Sequence, residues 1–371
     1  MKIAVIAHLK FPISQPYHGG LEMHTHLLVE GLLAAGHHVT LYALRDSDQR
    51  FRVVEPPLRA VPKKLGIDLF ENEPAFDLHF VNRLHSYLSV MTDLRDANYD
   101  IVHNNSLHFA PLALASTLSC PMVTTLHTPP FPSLQSGVLL AKSYLGHHFV
   151  AVSDSLGKDW QQFIPNYEVV HNGLRPESWQ FSDRAEERTA VWVGRFCEEK
   201  GPEYAIAAAR LGGYRLQLVG TLYDQAYFDR VIAPELDDQI TYLGHLDHDS
   251  LSAVIGSASV GLFTSTWDEP FGLVLIEMLA CGTPVVAFDS GAAAEILTPE
   301  CGVVVPKGDV ASLARALPLA AGLDRRACRH RAIADFPVSR MVAQYEHLYR
   351  KLLKTSSAPS MPPLNLTTDV A

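Results

Sequence analysis

The sequence predicts an α/β protein of two Rossmann-like, doubly wound parallel-sheet domains facing a central cleft. Three observations carry that expectation. Short β-branched apolar runs alternate with longer helical patterns, the alternation pauses near residues 174–188 and restarts, and turn residues stand where the apolar runs end. Such alternation requires crossovers between neighbouring strands, which makes the sheets parallel and covers both of their faces. The length of 371 residues fits about two to three domains.

In chain order, Ile3–Ala7, Val39–Leu44, Ile101–Val102, Met122–Leu126, Phe149–Val152 and Glu168–Val170 read as buried strands, with a helix over Leu21–Ala35 that Gly36 ends. The stretch Arg175–Arg188 is polar, lacks periodicity and contains Pro176, so it reads as a linker. A second strand series follows at Ala190–Val193, Arg215–Val219, Ile240–Tyr242, Val260–Phe263, Pro284–Ala287 and Val303–Val305. Helices are expected at Pro202–Leu211, where Pro202 suits a first turn, at Asp249–Ile255 with Asp249 as its N-cap, and at Gly272–Ala280. Val338–Leu353 spaces Met341, Val342, Tyr345, Leu348, Tyr349 and Leu352 along one face of an amphipathic helix begun by Pro337. The expected domains are 1–174 together with the terminal helix 336–354, then 175–335, and a Ser/Pro-rich tail, 355–371, expected to be disordered.

Composition excludes several classes. Apolar residues make up 47% and charged residues 19%, as in an ordinary globular chain and unlike a disordered or fibrous one. The formal charge of −10 argues against a nucleic-acid partner, which would need a basic face. No run of eighteen apolar residues predicts an integral membrane segment, no polybasic block drives membrane attachment, and the N-terminus does not read as a signal peptide. Peripheral membrane contact is compatible with this. The five cysteines are widely spaced without a C-x-x-C pair, so neither a disulfide framework nor structural zinc is expected, and a cytoplasmic location fits best.

The most informative segment is Thr266–Glu277, T-W-D-E-P-F-G-L-V-L-I-E. A loop Glu269 followed by a helical Glu277 in the second turn brings both carboxylates to one ligand. The free N–H groups of Phe271, Gly272 and Leu273 face the same space as an anion site. Carboxylates accept hydrogen bonds from vicinal hydroxyls, so this set suits a phosphorylated sugar. For two isolated glutamates, a surface pair and a loop carboxylate is the commoner arrangement; the apolar helix around Glu277 weighs against it, because a bare carboxylate there needs a partner. A second segment, Val193–Pro202, puts Gly194, Arg195 and Lys200 after the first strand of the second domain, a cationic pair suited to phosphate oxygens or else two solvated loop charges. A third, His18-Gly19-Gly20, lets backbone approach a phosphate or simply turns the chain; it is not the G-x-G-x-x-G of dinucleotide sites.

Two D-x-D pairs, Asp46–Asp48 and Asp247–Asp249, read as a solvated loop and a helix start rather than as metal ligands, and no metal site is expected. His24 and His26 lie about 200° apart on a helix and cannot share a metal from one face. His103 and His127, at strand ends, are the better functional histidines, and His18 stands beside the glycine pair.

Together these segments resemble the GT-B retaining glycosyltransferases, specifically glycosyltransferase family 4. Glu269 to Glu277 around E-P-F-G-L matches that family's paired-glutamate hallmark, and Gly194, Arg195, Lys200 and Gly201 match its G-R-x-x-x-x-K-G element. The double glycine, D-I-V-H at Asp100–His103, His127, Ser153, N-G at Asn172–Gly173, C-G-T-P-V-V at Cys281–Val286 and S-G-A-A-A-E-I at Ser290–Ile296 follow in the same order, over residues 1 to 353.

The resemblance implies a GT-B fold whose C-terminal helix crosses back to the first domain. It also implies a retaining, metal-independent transfer of sugar from a nucleotide-diphosphate sugar, such as a UDP- or GDP-sugar, to a hydroxyl of a glycan, lipid-linked sugar or small molecule, with no cofactor. Catalytic roles fall to His127, Glu269, Arg195 and Lys200. Donor contacts fall to Gly19, Gly20, Gly194, Arg195, Lys200, Glu269, Phe271, Gly272, Leu273, Val274 and Glu277, with Glu277 on the ribose and Arg195 and Lys200 on the diphosphate. Two departures, Leu174-Arg175 after the N-G pair and Thr128-Pro129-Pro130 after His127, bear on acceptor contacts. A catalytically silent nucleotide-sugar-binding protein is the alternative, and an oxidoreductase is disfavoured by the missing glycine fingerprint.

Overall fold

The structure, a computed structural model, describes residues 1–58 and 78–356. Two all-parallel sheets make its frame. The first runs in the order β3-β2-β1-β4-β5-β6-β7, built from β1 (Lys2–Ile6), β2 (His38–Tyr42), β3 (Arg52–Val54), β4 (Ile101–Asn104), β5 (Met122–Leu126), β6 (His147–Ala151) and β7 (Glu168–Val169). The second runs β10-β9-β8-β11-β12-β13, from β8 (Glu186–Val193), β9 (Arg215–Val219), β10 (Ile240–Tyr242), β11 (Ala258–Phe263), β12 (Val285–Phe288) and β13 (Gly302–Val305).

Strand order reverses between β1 and β4 in one sheet and between β8 and β11 in the other. Connections leave to opposite faces at such a point and open a crevice beyond the strand ends. In register, Val5 lies beside His103 and Ile6 beside Asn104, so the crevice begins at the residues that follow β4. Buried Ile3, Val5, Ile101, Val123 and Val150 fill the first core, while Ala190, Leu216, Leu218, Val260 and Leu262 fill the second.

The last helix, Val338–Ser356, is apolar on one face only, and that face belongs to the first domain. Met341, Val342, Tyr345, Leu348, Tyr349 and Leu352 are buried in one cluster with Leu28, Leu32 and β1. A fully buried chain of hydrogen bonds supports the contact: the Tyr349 hydroxyl meets His103 Nδ1, His103 Nε2 meets Thr125 Oγ1, and that hydroxyl meets Tyr345. The chain therefore crosses between the domains twice, and the two passes bind each other, Leu174 N donating to Phe336 O at 2.9 Å and Val338 N to Leu174 O at 2.8 Å. The domains also touch across the cleft mouth. Ser153 Oγ donates to Pro270 O at 2.6 Å, and Glu295 accepts from Asp154 N at 3.0 Å while pairing with His171.

Three expectations need correction. The polar stretch to Arg188 is not wholly linker: β8 starts at Glu186, because its first residues pair at the sheet end and need no burial to do so. Asp247, not Asp249, caps its helix, accepting from Ser250 N at 2.8 Å, so the helix starts at His248. The terminal helix runs through Thr355 and Ser356, where tail was expected; the remainder of that tail, residues 357–371, lies outside the described residues. All five cysteines are free. Among the described residues, no helix is long and apolar enough to cross a membrane.

Candidate active site

The loops that leave the strand ends beside the two reversal points carry almost every residue singled out from sequence. After β1 come Gly19 and Gly20, where helix Gly20–Ala34 begins; after β5 comes His127; after β8 come Gly194, Arg195 and Lys200; after β11 comes Glu269. Helix Leu273–Ala280 then starts from Gly272, whose φ of +84° is the left-handed region that glycine occupies without strain.

These residues enclose a cavity of about 510 Å³ lined by Gly19, Gly20, His127, Gly194, Arg195, Lys200, Glu269, Phe271, Gly272, Leu273, Val274 and Glu277. All twelve residues expected at the site therefore meet in one place. The starts of two helices, one from each domain, face each other here: a Cβ on Gly20 would lie 2.7 Å from Leu273 Cδ1. Two sets of unpaired N–H groups with the positive ends of two helix dipoles make a strong anion site.

A larger cavity of about 950 Å³ adjoins the first, lined by Tyr17, Trp179, Leu246, His248 and Leu251 among others. Gly19, Gly20, Leu273, Val274 and Glu277 belong to both. Glu277 therefore stands in the shared wall. Its carboxylate makes no hydrogen bond or ion pair within the described residues, and burial pushes that group up to about 7. A desolvated, unpaired carboxylate in a cleft is a functional-site feature, since it costs stability and returns nothing to the fold.

Glu269 is handled differently. It is 8% exposed, its Oε1 accepts from Ser265 Oγ at 3.2 Å, and the Lys200 ammonium contacts the same oxygen. Burial, with Arg195 nearby, draws Lys200 down to about 8. Arg195 pairs with Glu199 at 3.0 Å and lies over the Tyr223 ring, so the guanidinium is held at the cavity rim. Neither cation is simply solvated: each has a carboxylate partner that an anion entering the cavity would compete with.

The backbone around Glu269 is fixed from behind. Ala292 N donates to Glu269 O at 3.0 Å, and Gly291 packs so closely, at φ +55°, that a Cβ there would collide with the Glu269 backbone. We therefore expect Gly291→Ala to displace Glu269, costing about 1–3 kcal/mol of stability and reducing donor use more than tenfold. Thermal unfolding and initial rates would check both. An unchanged melting temperature would contradict the close packing.

Opposite Glu269, His127 projects from the end of β5. Burial and the neighbouring His24, His103 and His8 hold its pKa well below the usual imidazole value, so the ring stays neutral. His24 is 1% exposed and packs its ring 4.6 Å from that of His127. His26, two residues on, points elsewhere, between Tyr17 and Asp48, as the helical angle requires. Asp48 is committed to His26 and Arg50. His18 lines the smaller cavity and stacks on Phe11.

Sequence reasoning assigned no role to Asn105, Asn172, Ser265 or Trp267. Asn172 and Ser265 are buried and, with Trp267, line the smaller cavity, while Asn105 bonds to His127 from behind. Asn172 stood in the N-G pair and Trp267 in the Thr266–Glu277 segment, which were usable signals; Asn105 and Ser265 carried none.

Comparison with known proteins agrees with this geometry. Residues 18–178 match the profile described as Glycosyltransferase Family 4, and residues 176–330 match Glycosyl transferases group 1. Glycogen synthase of Mycobacterium tuberculosis is 30% identical over 370 residues, covering 86% of this chain and 87% of that protein. The chain belongs to glycosyltransferase family 4. The phosphatidyl-myo-inositol mannosyltransferase of Mycobacterium leprae is 28% identical, covering 85% of this glycosyltransferase and 86% of the relative. The fold is GT-B. Sucrose-phosphate synthase from Thermosynechococcus elongatus superposes with a TM-score of 0.74 at 22% identity, covering 95% of this chain and 99% of that one. Anabaena HepE in complex with UDP-glucose gives 0.70 at 17%, covering 95% and 100%.

Proposed function

We propose that this glycosyltransferase moves a hexose from a nucleotide-diphosphate sugar to an acceptor hydroxyl, with retention at the anomeric carbon and without a metal ion. The observation that carries the reading is the place of Glu277 in the wall between two cavities. Its carboxylate would take the two ribose hydroxyls, leaving the larger cavity for the nucleobase and the smaller one for diphosphate and sugar. Names of relatives fit a hexose donor, since one is a glycogen synthase and another a mannosyltransferase.

In this arrangement the anomeric C–O bond breaks, and its electron pair goes to the departing diphosphate oxygen. Lys200, Arg195 and the N–H groups at Gly19–Gly20 and Phe271–Leu273 stabilise that charge as fixed donors. Glu269 would hold the sugar hydroxyls, and His127 would meet the sugar from the first domain. The carboxylates lining the smaller cavity among the described residues are Glu22, Glu269 and Glu277. Glu22 lies beside His8, Glu269 is tied to Lys200, and Glu277 is assigned to ribose. This favours attack by the acceptor on the face the diphosphate leaves, with the acceptor proton passing to a diphosphate oxygen.

A thermal-shift panel of UDP-, GDP-, ADP- and TDP-sugars would identify the donor, because a ligand bound only by the native state raises the melting temperature. Proton NMR of the product should show the anomeric configuration of the donor. An inverted product, or a sugar trapped on a side chain, would contradict the mechanism. Donor that binds but is neither transferred nor hydrolysed would instead identify a silent binding protein. Transfer should persist in EDTA; loss that Mn²⁺ restores would overturn the metal-free assignment.

A further inference from the structure

The proposed contact between His127 and the sugar raises a question of chemistry: which ring nitrogen does the cavity meet, and does it donate or accept? A neutral imidazole carries one N–H and one bare nitrogen, and the partner of one fixes the role of the other. Here the partner is Asn105. It follows β4, its backbone N–H extends the sheet by donating to Ile6 O at 2.9 Å, and it is 0% exposed. His127 Nε2 lies 3.0 Å from Asn105 Oδ1, while Asn105 Nδ2 is turned to Thr25 Oγ1 at 3.4 Å. An amide oxygen only accepts, so with Oδ1 facing the ring Nε2 carries the hydrogen. Nδ1 is then the bare nitrogen on a ring that lines the smaller cavity.

We propose that Asn105 is a positioning residue for the transfer reaction: its side-chain oxygen takes the Nε2 hydrogen of His127, so that Nδ1 meets the donor sugar as a hydrogen-bond acceptor for one of its hydroxyls. The inference rests on the glycosyl-transfer reading and goes beyond it, because it names the atom and its polarity. The surroundings leave Asn105 as the group that sets the ring. His24 packs edge-on to His127 and makes no hydrogen bond to it. His103 is bonded to Tyr349 and Thr125, with the Asn105 side chain also beside its ring, and His8 faces Glu22 at 3.6 Å. Lys200 and Glu269, across the cavity, engage each other. The amide therefore selects the tautomer, as a carbonyl or carboxylate does for other functional histidines.

The test uses the full chain and three variants. Nitrogen-15 NMR of the imidazoles, with the His127 signal assigned by its loss in His127→Gln, should show the Nε2–H tautomer in the wild type. In Asn105→Ala it should show a mixture or the reverse. With UDP-glucose and GDP-mannose as donors, Asn105→Ala should lower kcat about tenfold to a hundredfold, the range for a misplaced polar contact, while leaving the affinity for UDP or GDP unchanged. Asn105→Asp retains the oxygen and should restore the tautomer and most of the turnover. Its added charge should raise the His127 pKa, read as a higher midpoint in the pH titration of the His127 ring signal. An Nδ1–H ring in the wild type would overturn the proposal, as would wild-type kcat in Asn105→Ala. Equal losses of kcat and nucleotide affinity would show a structural role and also overturn it. If Asn105→Ala does not fold, the tautomer of the wild type and the response of Asn105→Asp still decide. Absence of transfer by the wild type with every donor would defeat the functional reading, and the reaction role with it; the NMR arm reads the Asn105–His127 bond separately.

Discussion

Replacing Arg195 and Lys200 together by alanine is expected to cut transfer at least about a thousandfold, since removing a single fixed donor from a developing oxyanion costs about 10²–10³. Both side chains line the cavity between the facing helix starts, and on the proposed mechanism the variant removes both charges where the diphosphate would depart. The loss should appear in kcat as well as in donor affinity, because the leaving group gains charge in the transition state. Stability needs its own control. Lys200 contacts the buried Glu269, so its removal leaves that carboxylate with Ser265 alone and should lower the melting temperature. Adding Glu269→Gln neutralises the orphaned charge. The triple variant should regain the lost melting temperature yet remain inactive, which separates the structural part of the ion pair from the chemical part. Rates within tenfold of wild type in the double variant would remove these two residues from the diphosphate.

The two-sheet frame was legible because buried parallel strands are nearly continuous apolar runs, and those of β1, β5, β9 and β11 stand out against polar surroundings. The short edge strand β3, with the pattern R-V-V, has no such contrast and was not foreseen. Nor was the long helix Leu78–Arg95, whose polar and apolar residues are too evenly mixed to show a face. At the site, Glu269, Glu277, Arg195 and Lys200 were legible because charges placed among glycines and apolar residues at strand and helix ends contradict plain packing. Asn105 and Ser265 were not. A neutral polar residue after a strand is common in any sequence, and only the fold brings Asn105 to His127 and Ser265 to Glu269. The N-cap error has the same origin: Asp247 and Asp249 are both competent caps, and backbone geometry alone decides which of them is used.

Glu277→Gln is expected to weaken nucleotide binding tenfold or more and, at alkaline pH, to stabilise the protein. Two charge-assisted hydrogen bonds from ribose hydroxyls would be replaced by neutral ones, and each charged bond contributes about 1.5–3 kcal/mol. Calorimetry with the matching nucleoside diphosphate would measure the loss; unchanged affinity would contradict the ribose role. The stability change has the opposite sign. Burial raises the folded-state pKa of Glu277 from 4.5 to about 7. Between those values the native state holds a proton that the unfolded chain has released, so this group's favourable contribution is complete below 4.5 and is lost as pH rises through about 7. Glutamine carries no such cost. The variant should therefore melt higher than wild type at pH 8 and about equally at pH 4, and a lower melting temperature at pH 8 would show that Glu277 has a structural partner after all. The same titration governs the rate. On the proposed ribose and diphosphate roles, the free enzyme needs Glu277 ionised and Lys200 protonated, and burial sets these groups at about 7 and about 8. Wild-type kcat/KM should then rise and fall within a narrow window around those values, because that ratio reports the free enzyme. In Glu277→Gln the acidic limb should disappear while the alkaline limb remains. Nucleotide binding by the wild type below pH 7 should release a proton from Glu277 in addition to any from the terminal phosphate, visible as a dependence of the binding enthalpy on buffer, and the variant should show the smaller dependence.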